Sequence, residues 1–104
     1  MNIPVIPKSI ISVINYQPDA IVSKQLLKKV NGSVTLYAFD KDESLNESTS
    51  PVDILIYVLE GTIDLKVNGT SNLIKANEYF SLPSKIPYSI EAKEKAKVVL
   101  TIIK

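Results

Sequence analysis

The chain contains no histidine and no cysteine among its 104 residues, and those two absences decide much of its chemistry. Imidazole is the usual general base near neutral pH and the commonest metal ligand. Without it a Ser-His-Asp triad cannot be built, and neither can the His-rich sites of zinc and non-haem iron enzymes. Without thiols there are no disulfides, no thiolate metal sites and no Cys nucleophiles. Acid–base work is left to 11 Asp and Glu, the 12 basic residues and five Tyr. An enzyme made from such groups needs a carboxylate whose pKa is perturbed by its surroundings, and no spacing in the sequence singles one out. The formal net charge is +1 and no long basic run occurs. Nucleic acid, which requires a basic face to neutralise phosphates, is therefore not an expected partner.

The residues able to act must be positioned by short strands. A hydrophobic fraction of 45% with 22% charged residues is ordinary for a globular domain and argues against disorder. Residues 21–30 precede Asn31-Gly32, and Val34 to Phe39 follow it; Asn-Gly is the favoured pair for a type I′ hairpin turn. Asn68-Gly69 carries the same signal between Thr62–Val67 and Asn72–Lys75. Both pairs lie in Asn-x-Ser/Thr triplets, which read better as turns than as glycosylation sites; Asn46-Glu47-Ser48 is a third. Residues 40–53 are polar and read as a loop or an irregular edge. Ile54 to Leu59 is apolar on both faces and is expected to be buried on both. Thr62 to Val67 alternates, with Ile63, Leu65 and Val67 inward and Thr62, Asp64 and Lys66 in solvent. Tyr79–Leu82, Tyr88–Ile90 and Val98–Ile103 are further strands, and Glu91–Lys97 is a charged hairpin loop. Ser9 to Tyr16 fits either one capped helical turn or a strand. Lys24 and Lys28 mark a solvent face on an early strand. This pattern predicts an all-β antiparallel sandwich or barrel. The length fits one domain, residues 1–104, with 1–20 as an N-terminal extension packing on the barrel or across a dimer. The first apolar stretch, Ile10–Ile14, is too short for a signal peptide, and no window reaches the length of a membrane span. A cytoplasmic protein with no membrane partner is expected.

Spacing carries a further resemblance. Counting back from Gly61, a pattern of Gly, five residues, His-x-His, three residues, Glu, six residues, Gly places its opening Gly on Asp42. Its two His fall on Ser48 and Ser50, and its Glu on Ile54. A second pattern, Gly, five residues, Pro-x-Gly, two residues, His, three residues, Asn, keeps Pro83. Its Gly positions fall on Asn77 and Lys85, its His on Tyr88 and its Asn on Ala92. From about Ile21 to Lys104 the chain thus resembles the small single-domain cupins of the conserved-barrel type. The resemblance implies a double-stranded β-helix, the cupin or jelly-roll barrel. In that family three His and one Glu hold a metal, and here those positions carry Ser48, Ser50, Ile54 and Tyr88. Hydroxyls compete poorly with water for first-row metals, and a free phenol has a pKa of about 10. No metal and no cofactor are expected.

In the register that the resemblance implies, Ser48, Ser50 and Tyr88 point into the barrel. Ile54, Ile56, Val58, Ile63, Leu65 and Phe80 lie nearby. Ser48, Ser50, Tyr88, Ile54 and Phe80 are the candidate ligand-binding residues, for a small neutral molecule held by a few hydrogen bonds. A barrel filled by its own side chains is the other reading. The nearest acids in sequence are Glu47, Asp53 and Glu60; Asp53 is expected to face away from the lumen and Glu60 to be solvated. Leu55, Tyr57 and Leu59 form an outer apolar face that needs cover from the N-terminal segment or a second copy, and the family's habit makes a homodimer the expected assembly. Three functions remain open: a metal-free binding or regulatory cupin, an acid–base isomerase or sugar-modifying enzyme, and a protein–protein interaction module.

Overall fold

The computed structural model describes residues 6–104. Nine strands follow one another: β1 (Ile21–Lys29), β2 (Gly32–Phe39), β3 (Ser44–Thr49), β4 (Asp53–Glu60), β5 (Thr62–Val67), β6 (Thr70–Lys75), β7 (Tyr79–Leu82), β8 (Pro87–Ala92) and β9 (Ala96–Ile103). They form a five-stranded sheet in the order β1-β2-β9-β4-β7 and a four-stranded sheet in the order β3-β8-β5-β6. Each strand pairing is antiparallel. After β2 the chain crosses between the sheets six times, entering one sheet through β3, β5–β6 and β8 and the other through β4, β7 and β9. That alternation makes the jelly roll. Among the described residues there is no helix long and apolar enough to cross a membrane.

Alternation along the strands builds the core. Ile54, Ile56 and Val58 of β4 and Ala96, Val98 and Leu100 of β9 face Ile63 and Leu65 of β5 and Ile90 and Ala92 of β8. Phe39 closes this cluster at the end where β2 meets the start of β9. Within residues 40–53 the second reading, an irregular edge, holds for β3, which pairs with β8 and is broken by a bulge between Leu45 and Ser48. Its polarity suits an edge strand, which shows most of its length to water.

The two Asn-Gly pairs part company. Asn68 and Gly69 both have positive φ, 53° and 83°, between the paired residues Val67 and Thr70, as a type I′ turn demands. The first hairpin instead turns on Val30 and Asn31, since Lys29 pairs with Gly32, and neither turn residue has positive φ. Gly32 is needed for another reason. A Cβ there would lie 2.5 Å from the Ile102 carbonyl oxygen on β9.

Positive φ recurs at all four positions where the spacing patterns call for glycine: Asp42 at 70°, Gly61 at 80°, Asn77 at 68° and Lys85 at 66°. The backbone keeps the glycine geometry where the side chain has changed. Asn and Asp visit this region readily, but for lysine it costs about 1–2 kcal/mol. The geometry is held at Lys85 by its amide, which donates to the Ser50 carbonyl at 2.7 Å. Lys85→Gly relieves the strain and gives back roughly 0.5–1 kcal/mol through the freer unfolded chain. We expect a net stabilisation of about 0.5–1 kcal/mol, seen as a higher urea midpoint at unchanged slope.

Ser9 to Tyr16 is neither helix nor strand. It is a turn, closed by the Ser12 amide donating to the Ser9 carbonyl at 3.2 Å. It covers part of the outer face of the five-stranded sheet. Ile14 is buried with Leu36 and Ala38, flanked by Val13, Tyr16, Val22, Leu59 and Val99. The Tyr16 ring lies beneath two ammonium groups, Lys95 at 5.6 Å and Lys97 at 5.1 Å from its centre. Its hydroxyl donates to the Glu60 carboxylate, and Lys97 donates to the Ile11 carbonyl. Burial first, then the Glu60 hydrogen bond and the charges of Glu60 and Glu94, push the Tyr16 pKa far up. Glu60 is therefore not simply solvated: it is half-buried as the acceptor that fixes the N-terminal turn. Asp64 departs from expectation in the same way. On the outer face of β5 it is only 4% exposed, because Ser71 on neighbouring β6 donates to its carboxylate at 2.6–2.8 Å.

Candidate functional site

One end of the barrel gathers the polar groups. The β3–β8 pairing sets Ser48 opposite Tyr88. Across the lumen, at the same end, Ile54 lies between Leu82 of β7 and Ile102 of β9, and Phe80 pairs with Ile56 one step further in. Ile54 is buried in the core, while Tyr88, Phe80, Ile86 and Ile102 are partly buried against it. Burial pushes the Tyr88 pKa up, and the nearby Tyr37 phenol adds to the effect. The Ser48 hydroxyl, within hydrogen-bonding reach, acts the other way. Tyr88 is thus a neutral donor and acceptor throughout the physiological range.

Ser50 is placed differently. Its hydroxyl donates to the Val52 carbonyl at 2.8 Å and accepts from the Val52 amide at 3.1 Å. Both bonds tie down the β3–β4 turn, a common use of Ser near a strand end. Ser48, Tyr88, Ile54 and Phe80 come together at the mouth; the Ser50 hydroxyl is occupied at its rim. Tyr37 is the residue that motif spacing missed. It pairs with Ser23 and Val98 and lies against the same core face as Phe39, ring centres 6.1 Å apart. Alternation with Phe39 along β2 is the signal that places it in the lumen. The same face of β2 carries Ser33 and Thr35 toward the mouth.

Below this mouth the barrel is filled. Ile56, Val58, Ile63, Leu65, Ile90 and Val98 are all fully buried. The carboxylates nearest in sequence turn elsewhere. Asp53 accepts from the Ser84 amide at 2.8 Å. Glu60 holds Tyr16, and Glu47 lines a groove with Asp64 and Glu91 on the outside of the four-stranded sheet.

The residues at the mouth do not fit a transition metal. Ile54 offers no donor, the Ser50 hydroxyl is committed to Val52, and burial keeps the Tyr88 phenol protonated. Neutral hydroxyls alone are poor ligands for such ions.

Solved structures share the fold. A Cupin 2 conserved barrel domain protein from Leptotrichia buccalis is 37% identical over 90% of this chain with a TM-score of 0.87, and this chain spans 46% of that protein. A cupin superfamily protein from Desulfitobacterium hafniense superposes with a TM-score of 0.90 at 18% identity, over 93% of this chain and 89% of that one. A conserved protein of unknown function from Streptococcus pyogenes gives 0.81 at 20% identity, over 85% and 77% of the two chains. No protein-family model matches the sequence, and neither does any curated protein.

Proposed function

We propose that this chain, which has the cupin fold, binds a small neutral molecule at the barrel mouth and performs no acid–base chemistry there. The observation that carries this reading is the half-buried, neutral Tyr88 phenol with Ser48 beside it and Tyr37 close by. Around them lie Phe80, Ile86 and Ile102. A few hydroxyls set in an apolar rim suit a neutral ligand, which avoids the cost of stripping water from a charge. The enzyme reading lacks the carboxylate it requires, since Asp53 and Glu60 are hydrogen-bonded away from the mouth and Glu47 lines a groove on the outer face.

The chain has no Trp and five Tyr, so tyrosine emission gives a first signal of binding, which residue-resolved NMR then locates. A library of neutral metabolite-sized compounds is screened by tyrosine fluorescence and then by NMR. Hits should shift the amides of Ser48 and Tyr88. Tyr88→Phe should weaken them about two- to tenfold, the size of one neutral hydrogen bond. Affinity should be flat from pH 6 to 9, because the raised Tyr88 pKa keeps the phenol protonated. Hits that shift only outer-face residues would refute the assignment.

We also propose that the chain forms a homodimer through the part of the five-stranded sheet that the N-terminal turn leaves bare. Leu27, Val34, Thr101 and Leu55 align across β1, β2, β9 and β4. Leu27 is 53% and Leu55 38% exposed, and Ile103 beside them 62%. One surface row of this kind meets itself across a two-fold axis. Ultracentrifugation should show a dimer for the natural chain and a folded monomer for Leu55→Asp. A monomeric natural chain at micromolar concentration would refute it.

A further inference from the structure

We propose that a groove between the N-terminal turn and β1, remote from the barrel mouth, binds an amphipathic carboxylate: an aliphatic tail with one acidic head. Two hollows adjoin there and share Lys8, Val13 and Lys24. The first, about 350 Å³, is walled by Ile10 and Leu26. The second, about 320 Å³, adds Ser9 and Ser12. The groove therefore offers aliphatic surface in one hollow, two serines in the other, and the two lysines where they adjoin. Ile10 and Leu26 are each 39% exposed, and among the described residues neither lysine is in an ion pair.

β1 carries a defect beside the groove. The register with β2 slips between Gln25 and Leu27. A bulge re-aims side chains locally, and here it leaves Leu26 in the groove beside Lys24 while turning over the strand that follows. It also separates the two lysines of this strand: Lys24 aligns with Leu36 on the outer face, Lys28 with Ser33 on the lumenal side. Strict alternation would have put them on one solvent face. A bulged edge is a poor template for an added strand, so backbone pairing with a peptide is disfavoured and a flexible small ligand fits better. Charge complementarity selects an anionic head, and the adjoining apolar wall selects a tail. A bare inorganic anion would leave that wall unused.

The test titrates isotope-labelled natural protein with decanoate, following amides and methyls by NMR. Decanol and acetate are the controls. Decanoate should shift Ile10, Val13, Leu26 and Lys24 saturably, with a Kd on the order of 100 µM for a half-exposed ligand. Decanol and acetate should each bind at least about tenfold more weakly, one lacking the charge and the other the tail. The double variant Lys8→Gln/Lys24→Gln should weaken decanoate about tenfold for two partly screened charges, with its spectrum otherwise unchanged. Leu26→Ser should weaken it similarly and leave acetate unaffected. Decanol binding as tightly as decanoate, or the lysine variant binding like the natural chain, would overturn the proposal. So would shifts that follow protein concentration, which assign the groove to a second copy. Contacts from the first five residues to Leu26 in the free protein would show the groove already filled by the chain itself, and would overturn it too. Tyr88→Phe leaves this binding intact, so failure at the barrel mouth and failure here are distinguishable.

Discussion

Gly61→Ala is expected to destabilise the chain by about 3–5 kcal/mol, a large share of the stability of a domain this size. Two costs add. Gly61 sits at φ 80°, and an added Cβ would lie 2.1 Å from the Lys95 carbonyl oxygen and 2.8 Å from the Ala96 Cα. Those are backbone atoms at the entry to β9, and they cannot yield without disturbing the pairing of Glu60 with Lys97. Gly69→Ala is the control. It has a similar φ, 83°, but nothing lies within 4 Å of its added Cβ. It should cost only the left-handed penalty, about 1–2 kcal/mol. The difference between the variants isolates the steric part. At about 4–8 °C per kcal/mol for a domain of this length, Gly61→Ala should melt about 12–40 °C lower. Equal melting temperatures for the two variants would show that the β8–β9 turn moves aside freely.

Phe39→Ala should cost about 3–5 kcal/mol, through lost burial and the cavity left behind. Phe39 is fully buried where the end of β2 pairs with Ala96, and its ring lies 6.1 Å from that of Tyr37. Aliphatic neighbours such as Ile63, Ala92 and Ala96 cannot refill a benzyl-sized hole without moving strands. Urea unfolding should show a lower midpoint at nearly constant slope. Phe39→Leu, which keeps most of the volume, should cost less than about 1.5 kcal/mol. Phe39→Ala also removes the ring against which Tyr37 packs, so ligand binding at the mouth should weaken in the folded variant. Unchanged binding there would show that Tyr37 takes no part in the site.

Local rules made much of this architecture legible. Asn68-Gly69 marked a true I′ turn because both residues tolerate positive φ and nothing else constrains them. Ile54, Ile56 and Val58 were assignable to the lumen through the register that the cupin resemblance implies, since Ile54 to Leu59 is apolar on both faces; period-two alternation then keeps the three together. Legibility failed where one residue answers to a partner far away in sequence. Gly32 is spent on the close approach of Ile102 rather than on the turn before it. Asp64 stands at a solvent position of the alternation, yet Ser71 on the neighbouring strand donates to its carboxylate. The bulge after Gln25 leaves no mark on hydrophobicity, yet it moves Lys28 away from the face of Lys24.

The sequence by itself determined that the protein is all-β, that histidine and thiolate chemistry are absent, and that the glycine-like turns recur at cupin spacing. Those properties follow from residue type and short-range geometry, which the chain carries wherever it folds. The tertiary structure decided which hydroxyls are free to act. Ser48 and Tyr88 meet only because β3 and β8 pair in one register, and Tyr37 joins them only through the pairing of β2 with β9. Ser50 is withdrawn by its own turn. A hydroxyl's role depends on its nearest partner at about 3 Å, and in a sheet protein that partner is chosen by strand pairing rather than by neighbours in the chain.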